Sequence, residues 1–315
     1  MYPVLNNKNI KTYSLFERES KVRLSDFGKP FNVSDDFNAF VSSLPNILAA
    51  KDLKDVAKAV VGAKKAGKKV VLGMGAHVIK VGLSPIIIDL MKNGIIDAIA
   101  MNGASIIHDT EVAIVGHTSE DVAKEIKNGS FGMVKETTEF LIKAVKENDS
   151  IGLGEAVGKA LCEQNFEYNA FSLLAEAYRQ KIPATVHIAI GTDIIHMHPE
   201  FDGAAFGRAS YQDFLVFSKS VSELDGGCYI NLGSAVIMPE VFLKAVSLVR
   251  NLGYPLKDIT TVNMDFIQHY RPVTNVVRRP TLEGGKGFSL TGHHEIMLPL
   301  LCAIIKNYLT DEQNG

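Results

Sequence analysis

Six short apolar runs, each closing in glycine, amide, acid or imidazole and separated from the next by helical spacing, constrain this chain more than any other feature. They are 70–75 (VVLGMG), 96–101 (IDAIAM), 184–190 (ATVHIAI), 228–232 (CYINL), 259–262 (ITTV) and 287–290 (GFSL). None alternates apolar with polar, so neither face of the strand is meant for water, and such runs belong to a parallel sheet covered on both sides. Between them lie helical stretches at 78–92, 134–147, 170–179, 214–221 and 240–251, with a closing helix over 296–308. Two more, 35–48 and 52–66, precede the first run, the second with Leu53, Val56, Ala59, Val60 and Ala63 on one stripe. The pattern predicts an α/β fold: a doubly wound, Rossmann-like, mostly parallel sheet of about six or more strands, with helices on both faces. At 315 residues the length equals about two average domains. Doubly wound folds often run this long as one unit, so a single domain over 1–315 is expected, with a helical N-terminal extension over about 1–66.

The exits of the runs differ in kind from their entries. The exits read GMGAH, NGASIIHD, GTDIIHMH, NLGS, NMDFIQH and TGHHE, whereas the entries are plain connections such as AGKK, KNGI and RQKIP. Of 9 histidines, His77, His108, His196, His198, His269, His293 and His294 all fall within a few residues of an exit. Ligands of open parallel sheets lie beyond the carboxyl ends of the strands, where strand order reverses.

Charge and composition remove several alternatives. Lys+Arg number 33 against 35 Asp+Glu, a net charge of −2, with no basic run to attract nucleic acid or an anionic membrane. Cys162, Cys228 and Cys302 are far apart, which speaks against a zinc knuckle or a disulfide framework and fits a reducing cytoplasm. The opening residues have no apolar core of a signal peptide, and the longest apolar run, 296–305, is about half a membrane span.

The segment between Asn102 and Ala170 reads as a long, mostly helical insertion. Thr118 would cap a helix over 118–128, and Gly129, Gly132, Gly152, Gly154 and Gly158 mark turns of a lid-like stretch. The turn Gly73-Met74-Gly75-Ala76-His77 follows a strand and opens a helix, a place for a phosphate, although it lacks the third glycine of the dinucleotide fingerprint. Asp193 could accept from ribose hydroxyls or hold an ammonium, and His196 and His198 beside it could move protons near neutral pH. Asn102-Gly103 and Asn231-Leu232-Gly233-Ser234 let a ligand approach the backbone; capping by Ser105 and Ser234 is the plainer account. Arg271, Arg278 and Arg279 could clamp an acid. The Asp193 cluster, with His108-Asp109, His269 or His293-His294-Glu295, could equally supply zinc ligands, though its spacing fits no compact zinc signature. Of the pair His293-His294, either could act as a base kept neutral at a helix start.

The order of these parts resembles the deoxyhypusine synthase family over roughly residues 35–309. The matching stretches are LGMGAHVIKVGL, IDAIAMNGASIIHD, SLLAEAYRQKIPATVHIAIGTD and the LPLL of 298–301. The resemblance implies a doubly wound fold that binds NAD, a tetramer with sites at interfaces, and a Thr-Asp pair, Thr192-Asp193, touching the nicotinamide nucleotide. It breaks where the family's imine-forming lysine should stand, near Val277-Arg278-Arg279-Pro280. A guanidinium cannot form the imine, Lys286 comes several residues too late, and the chain has no Trp. The expectation is therefore a cytoplasmic, oligomeric, NAD-dependent transferase or oxidoreductase acting on a small amine or amino acid, and not hypusine formation. Gly73, Gly75, His77, Asn102, Gly103, Asp193, Gly233, Ser234 and Asp265 would face the cofactor, and His198, His293 and His108 would move protons. The alternatives are a hydrolase using zinc or another divalent metal, and a non-catalytic binder.

Overall fold

The computed structural model describes residues 2–311 and divides into two units, one up to Lys51 and one from Asp52 onward. In the first, α1 (Phe37–Ser43) is capped by Asp36, whose carboxylate accepts from the Ala39 amide at 2.8 Å. The rings of Phe31, Phe37 and Phe40 gather beside it, with centroids 5.4 and 5.9 Å apart.

The second unit carries all six strands, and the boundary runs through α2 (Leu48–Lys65). In chain order there follow β1 (Val70–Met74), α3 (His77–Lys80), α4 (Ser84–Lys92), β2 (Ala98–Asn102) and α5 (Gly103–Val115). Next come α6 (Val122–Glu125), α7 (Lys135–Glu147), α8 (Leu153–Gln164), α9 (Leu173–Gln180) and β3 (Ala184–His187). The chain closes with α10 (Gly203–Val221), β4 (Cys228–Leu232), α11 (Ile237–Asn251), β5 (Thr260–Asp265), α12 (Tyr270–Pro272), β6 (Lys286–Thr291) and α13 (His294–Asp311). A π-helical turn, Val273–Arg278, continues α12.

All five strand pairings are parallel, and the order is β3-β2-β1-β4-β5-β6, the doubly wound arrangement that the buried runs imply. On one face Val71, Ala98, Ala100 and Tyr229 pack against Phe217 and Val221 of α10 and Met238, Phe242 and Val246 of α11. On the other, Val70, Leu72 and Ile230 meet Val60 of α2, Leu90 of α4 and Leu298, Leu301 and Ile305 of α13. Alternate residues of one strand thus serve opposite layers, and both layers are apolar. Burial of each such side chain contributes about 1.5–3 kcal/mol relative to exposure.

Edge strand β3 is closed to further pairing by α10. The Val186 amide donates to Asp213 Oδ2 at 2.6 Å, the Ile188 amide donates to Ser210 Oγ at 3.2 Å, and Ser210 Oγ returns a bond to the Val186 carbonyl at 3.1 Å. Side chains thereby occupy the backbone groups that an open edge would offer to another strand.

Several local expectations change. The strand expected over 184–190 leaves its ladder after His187, and Ile190 is exposed. The helix expected over 78–92 breaks into α3 and α4 at Gly82, whose φ of +78° ends one helix before the next begins. Gly152, Gly154 and Gly158 mark no lid. Gly152 and Gly154 open α8 and Gly158 lies inside it; a Cβ on Gly154 would overlap the Ala184 carbonyl, and one on Gly158 would stand 2.6 Å from the Leu174 carbonyl oxygen. These glycines permit a helix to press onto a strand and a neighbouring helix.

Candidate functional site

Strand order reverses between β1 and β4, and their exits lie side by side. The Gly75 amide donates to the Leu232 carbonyl at 3.0 Å, extending the ladder one residue past β1. A Cβ on Gly75 would overlap the Gly233 carbonyl oxygen, so only glycine permits this approach. Gly233 has φ +62°, and a Cβ there would lie 2.8 Å from Cε1 of His294. Two glycine turns therefore form the floor of a cleft, and each is glycine for a reason that the fold supplies.

Above this floor lies an open hollow of about 410 Å³, lined by Gly75, His77, Lys80, Asn102, Gly233 and Ser234, with His108 at its margin. A second hollow of about 190 Å³ adjoins it, sharing Lys80, Ala104 and His108 and adding Glu111, Asp193 and Ile194. Asn102 caps α5: its Oδ1 accepts from the Ser105 amide at 3.3 Å and the Ser105 hydroxyl at 2.6 Å. The cap of α5 is therefore Asn102 and not Ser105, whereas Ser234 Oγ accepts from the Met238 amide at 3.2 Å at the start of α11 as expected.

His108 is the most firmly held histidine lining the cleft. Its Nδ1 lies 2.6 Å from Thr118 Oγ1, and that hydroxyl donates in turn to Glu111 Oε2. A hydroxyl whose proton is committed to a carboxylate can only accept, which fixes the proton of neutral His108 on Nδ1 and leaves Nε2 its lone pair. Burial pushes the Glu111 carboxyl up, but bonds from His108 and Thr118 outweigh it and leave the group below the usual glutamate range. Thr118 is consequently not a helix cap. Asp121 fills that role, accepting from the Lys124 amide at 3.2 Å. Sequence reading did not connect Thr118 and Glu111 with His108, although Glu111 follows it by one helical turn on α5; Thr118 lies beyond that helix and is brought back by the fold.

Asp193 reaches from the loop after β3 to the start of α5, where a Cβ on Gly103 would overlap its carboxylate. Burial raises its pKa to about 6, against a bond from Thr192, and its Oδ2 has no hydrogen-bond partner among the described residues. An orphaned, buried acceptor on a cleft wall is costly unless something donates to it. Lys80, also missed from sequence, lines both hollows, is exposed, and makes no ion pair among the described residues.

The remaining candidates lie elsewhere. Gly73 sits inside β1, where a Cβ would overlap the Tyr229 hydroxyl, so packing on the α10–α11 side accounts for it. His196 Nδ1 accepts from the Gly191 and Asp193 amides at 3.1 and 3.2 Å and braces its own loop; burial lowers its pKa. His198 Nδ1 accepts from the Glu200 amide at 3.2 Å, and His198 lines neither hollow. His293 is exposed, 3.9 Å from Glu295, and also outside the lining. Asp265 and the fully buried His294 lie beneath the Gly233 turn. Arg279 donates to Asn275 Oδ1 at 2.8 Å, and Arg271 pairs with Glu240 at 3.5 Å. Lys286 opens β6 at the entry end, a strand's length from the cleft, about 17 Å. Among the described residues no three His, Cys, Asp or Glu side chains converge to hold a metal ion, and no helix is long and apolar enough to cross a membrane.

No family model matches the chain, and no curated protein does. Solved structures do. A conserved putative LOR/SDH protein from Methanococcus maripaludis S2 superposes with a TM-score of 0.51 at 17% identity, over 98% of this chain and 76% of that one. AgrE, solved as a ternary complex with ornithine and NAD+, superposes at 0.57 and 15% identity, over 82% of this chain and 33% of that one. The chain shares their doubly wound fold. A putative deoxyhypusine synthase from Entamoeba histolytica superposes with a TM-score of 0.49 at 12% identity, over 88% of this chain and 95% of that one. The chain spans about three quarters of the Methanococcus protein and a third of AgrE.

Proposed function

We propose that the cleft binds a nicotinamide dinucleotide and that the protein uses it in a transferase or oxidoreductase reaction on a small amine or amino acid. The observation that carries this reading is the Glu111–Thr118–His108 row opening onto a cleft at the point of strand reversal. A general base must be oriented and must have one nitrogen free toward the ligand, and His108 meets both conditions.

The residues present fit the cofactor. The Gly75 and Gly233 turns line the larger hollow with backbone, which close approach of a pyrophosphate uses. The orphaned Oδ2 of Asp193 is an acceptor suited to ribose hydroxyls. Lys80 supplies a cation for phosphate or for a substrate carboxylate. One element of the dinucleotide pattern is absent: α3 is only four residues long, so phosphate would rest on the turn and on Lys80 and not on a helix dipole. When bound, the nicotinamide ring accepts and returns a hydride. This chain's share is to orient both ligands and to take a proton on His108 Nε2.

AgrE, a third of which superposes on this chain, was solved with ornithine and NAD+, which supports pairing this cofactor with an amino-acid substrate. The proposal assigns no role to His198 or His293. Titrating the protein with NAD by calorimetry tests the reading. Saturable binding below millimolar is expected, weakened about tenfold or more in Asp193→Asn by loss of a charge-assisted hydrogen bond. Absence of heat at millimolar NAD removes the reading.

A further inference from the structure

The site described above uses one wall of the cleft, and the opposite wall contains an unexplained group. His294 begins α13 with its side chain fully buried, and neither ring nitrogen has a hydrogen-bond partner among the described residues. Its Nε2 stands 3.5 Å from Asp265 Oδ1, an ion-pair distance and not a good hydrogen bond. Asp265 is itself 4% exposed, at the end of β5, with Oδ1 already accepting from the Phe266 amide at 2.8 Å. An apolar side chain in the place of His294 would carry no desolvation cost, whereas a buried imidazole with unmet nitrogens costs about 1–3 kcal/mol. The fold keeps it nonetheless, and Gly233 has no room for a Cβ because the ring fills the space under the turn.

On its outer side His294 meets His77, ring centroids 5.5 Å apart and edge-on, and His77 lines the larger hollow. Phe266 covers both rings, at 5.9 Å from His77 and 5.7 Å from His294. An acid, a buried imidazole and an accessible imidazole thus run in sequence from the interior to the cleft.

We propose that Asp265, His294 and His77 form an acid–base row beneath the Gly233 turn, in which the two buried members set the protonation of His77, the member that meets the ligand. His77 is then a second proton-moving group, on the β1 side of the cleft and separate from His108. His294 and Asp265 are positioning residues. When His77 takes a proton from a ligand, the negative charge of Asp265 offsets the new positive charge, and the proton leaves to solvent or returns to product from the exposed ring. The groups facing His77 are His294 and Glu295 on α13, Lys80 on α3 and Asp265 on β5. Burial, His294 and Lys80 lower its pKa, while Glu295 and Asp265 raise it. The inference rests on the functional reading above for the identity of the ligand only.

The test is a pH titration of the histidine Cε1 proton resonances in the full chain, with the His77 signal assigned by its loss in His77→Gln. Asp265→Asn, nearly isosteric, is expected to lower the His77 midpoint by about half a pH unit or more, and His294→Leu to raise it. A residue that only fills space would move neither. An unchanged midpoint in Asp265→Asn overturns the row, as does a lowered or unchanged midpoint in a folded His294→Leu. If His294→Leu does not fold, Asp265→Asn decides alone. Calorimetry with NAD on the same wild-type sample separates the two claims. No NAD binding with the expected shifts defeats the cofactor reading and leaves the row standing; NAD binding with no shift does the reverse.

Discussion

Gly233→Ala tests the geometry under the cleft floor most directly, because two separable costs meet at that residue. Its φ of +62° is left-handed, which costs a residue with a side chain about 1–2 kcal/mol. The new Cβ would also lie 2.8 Å from Cε1 and 3.2 Å from Nε2 of a ring that is fully buried and cannot swing into solvent. Overpacking of this kind adds about 1–3 kcal/mol. Gly191 serves as the control: its φ is +90°, but nothing lies within 4 Å of an added Cβ, so Gly191→Ala should show the backbone cost alone. Urea unfolding followed by circular dichroism should place Gly233→Ala about 1–3 kcal/mol below Gly191→Ala. Truncating the ring provides the decisive arm. In a double-mutant cycle with His294→Ala, the steric share should vanish as a favourable coupling energy of about 1–3 kcal/mol. Equal losses for the two glycine variants, or a coupling near zero, would refute the placement of His294 beneath the turn and with it the acid–base row.

Three further outcomes follow from the buried polar groups. Asp213→Ala leaves the amides of Val186 and Gly154 without their acceptor, which bonds them at 2.6 and 2.9 Å. A loss of about 2–6 kcal/mol is expected by urea unfolding, at about 1–3 kcal/mol per unmet group, and a loss below about 1 kcal/mol would show that edge strand β3 is not held there. Burial raises the pKa of Asp109 to about 6, against bonds from Ser172, Leu173 and Leu174, and that of Asp213 to about 7. Because the folded state holds these protons more tightly than the unfolded chain, the contribution of the two carboxyls to stability should fall as pH rises from about 4 to about 7 and level off above, while buried His187, whose pKa burial lowers to about 3, contributes with the opposite sign. The slope is at most about 1.4 kcal/mol per pH unit for each group as it titrates; a difference in stability between wild type and Asp213→Asn that does not change with pH over that window would contradict it. Thr118→Val removes the hydroxyl joining His108 to Glu111. The Glu111 carboxyl should then titrate higher, as followed by its carbon resonance, and an unmoved Glu111 would show that the row is not formed.

Local reading went wrong where one residue type serves two ends. Glycines in 152–158 have the composition of a turn, yet here they let α8 touch β3 and α9, because a missing Cβ matters as much for close packing as for φ. Thr118 has the pattern of a cap, but its hydroxyl found a better acceptor in a carboxylate on the preceding helix. In the same way His196 and His198, conspicuous in sequence, have their Nδ1 atoms engaged by amides of their own loop.

What the order of amino acids determined was burial for five of the six apolar runs, which a parallel sheet with two helical layers shields while their polar exits lie at its rim; the sixth, β6, is an edge strand with only Leu290 buried. Adjacency was beyond the sequence. Only the tertiary structure set β1 beside β4, pressed Gly75 onto Gly233, brought Asp193 from the β3 loop to the start of α5, and left Lys286 at the far end of the sheet. The reason is physical: hydrophobic periodicity acts within a few residues and fixes which face is hidden, whereas strand order is chosen by the packing of whole layers, and a cleft is made by that choice.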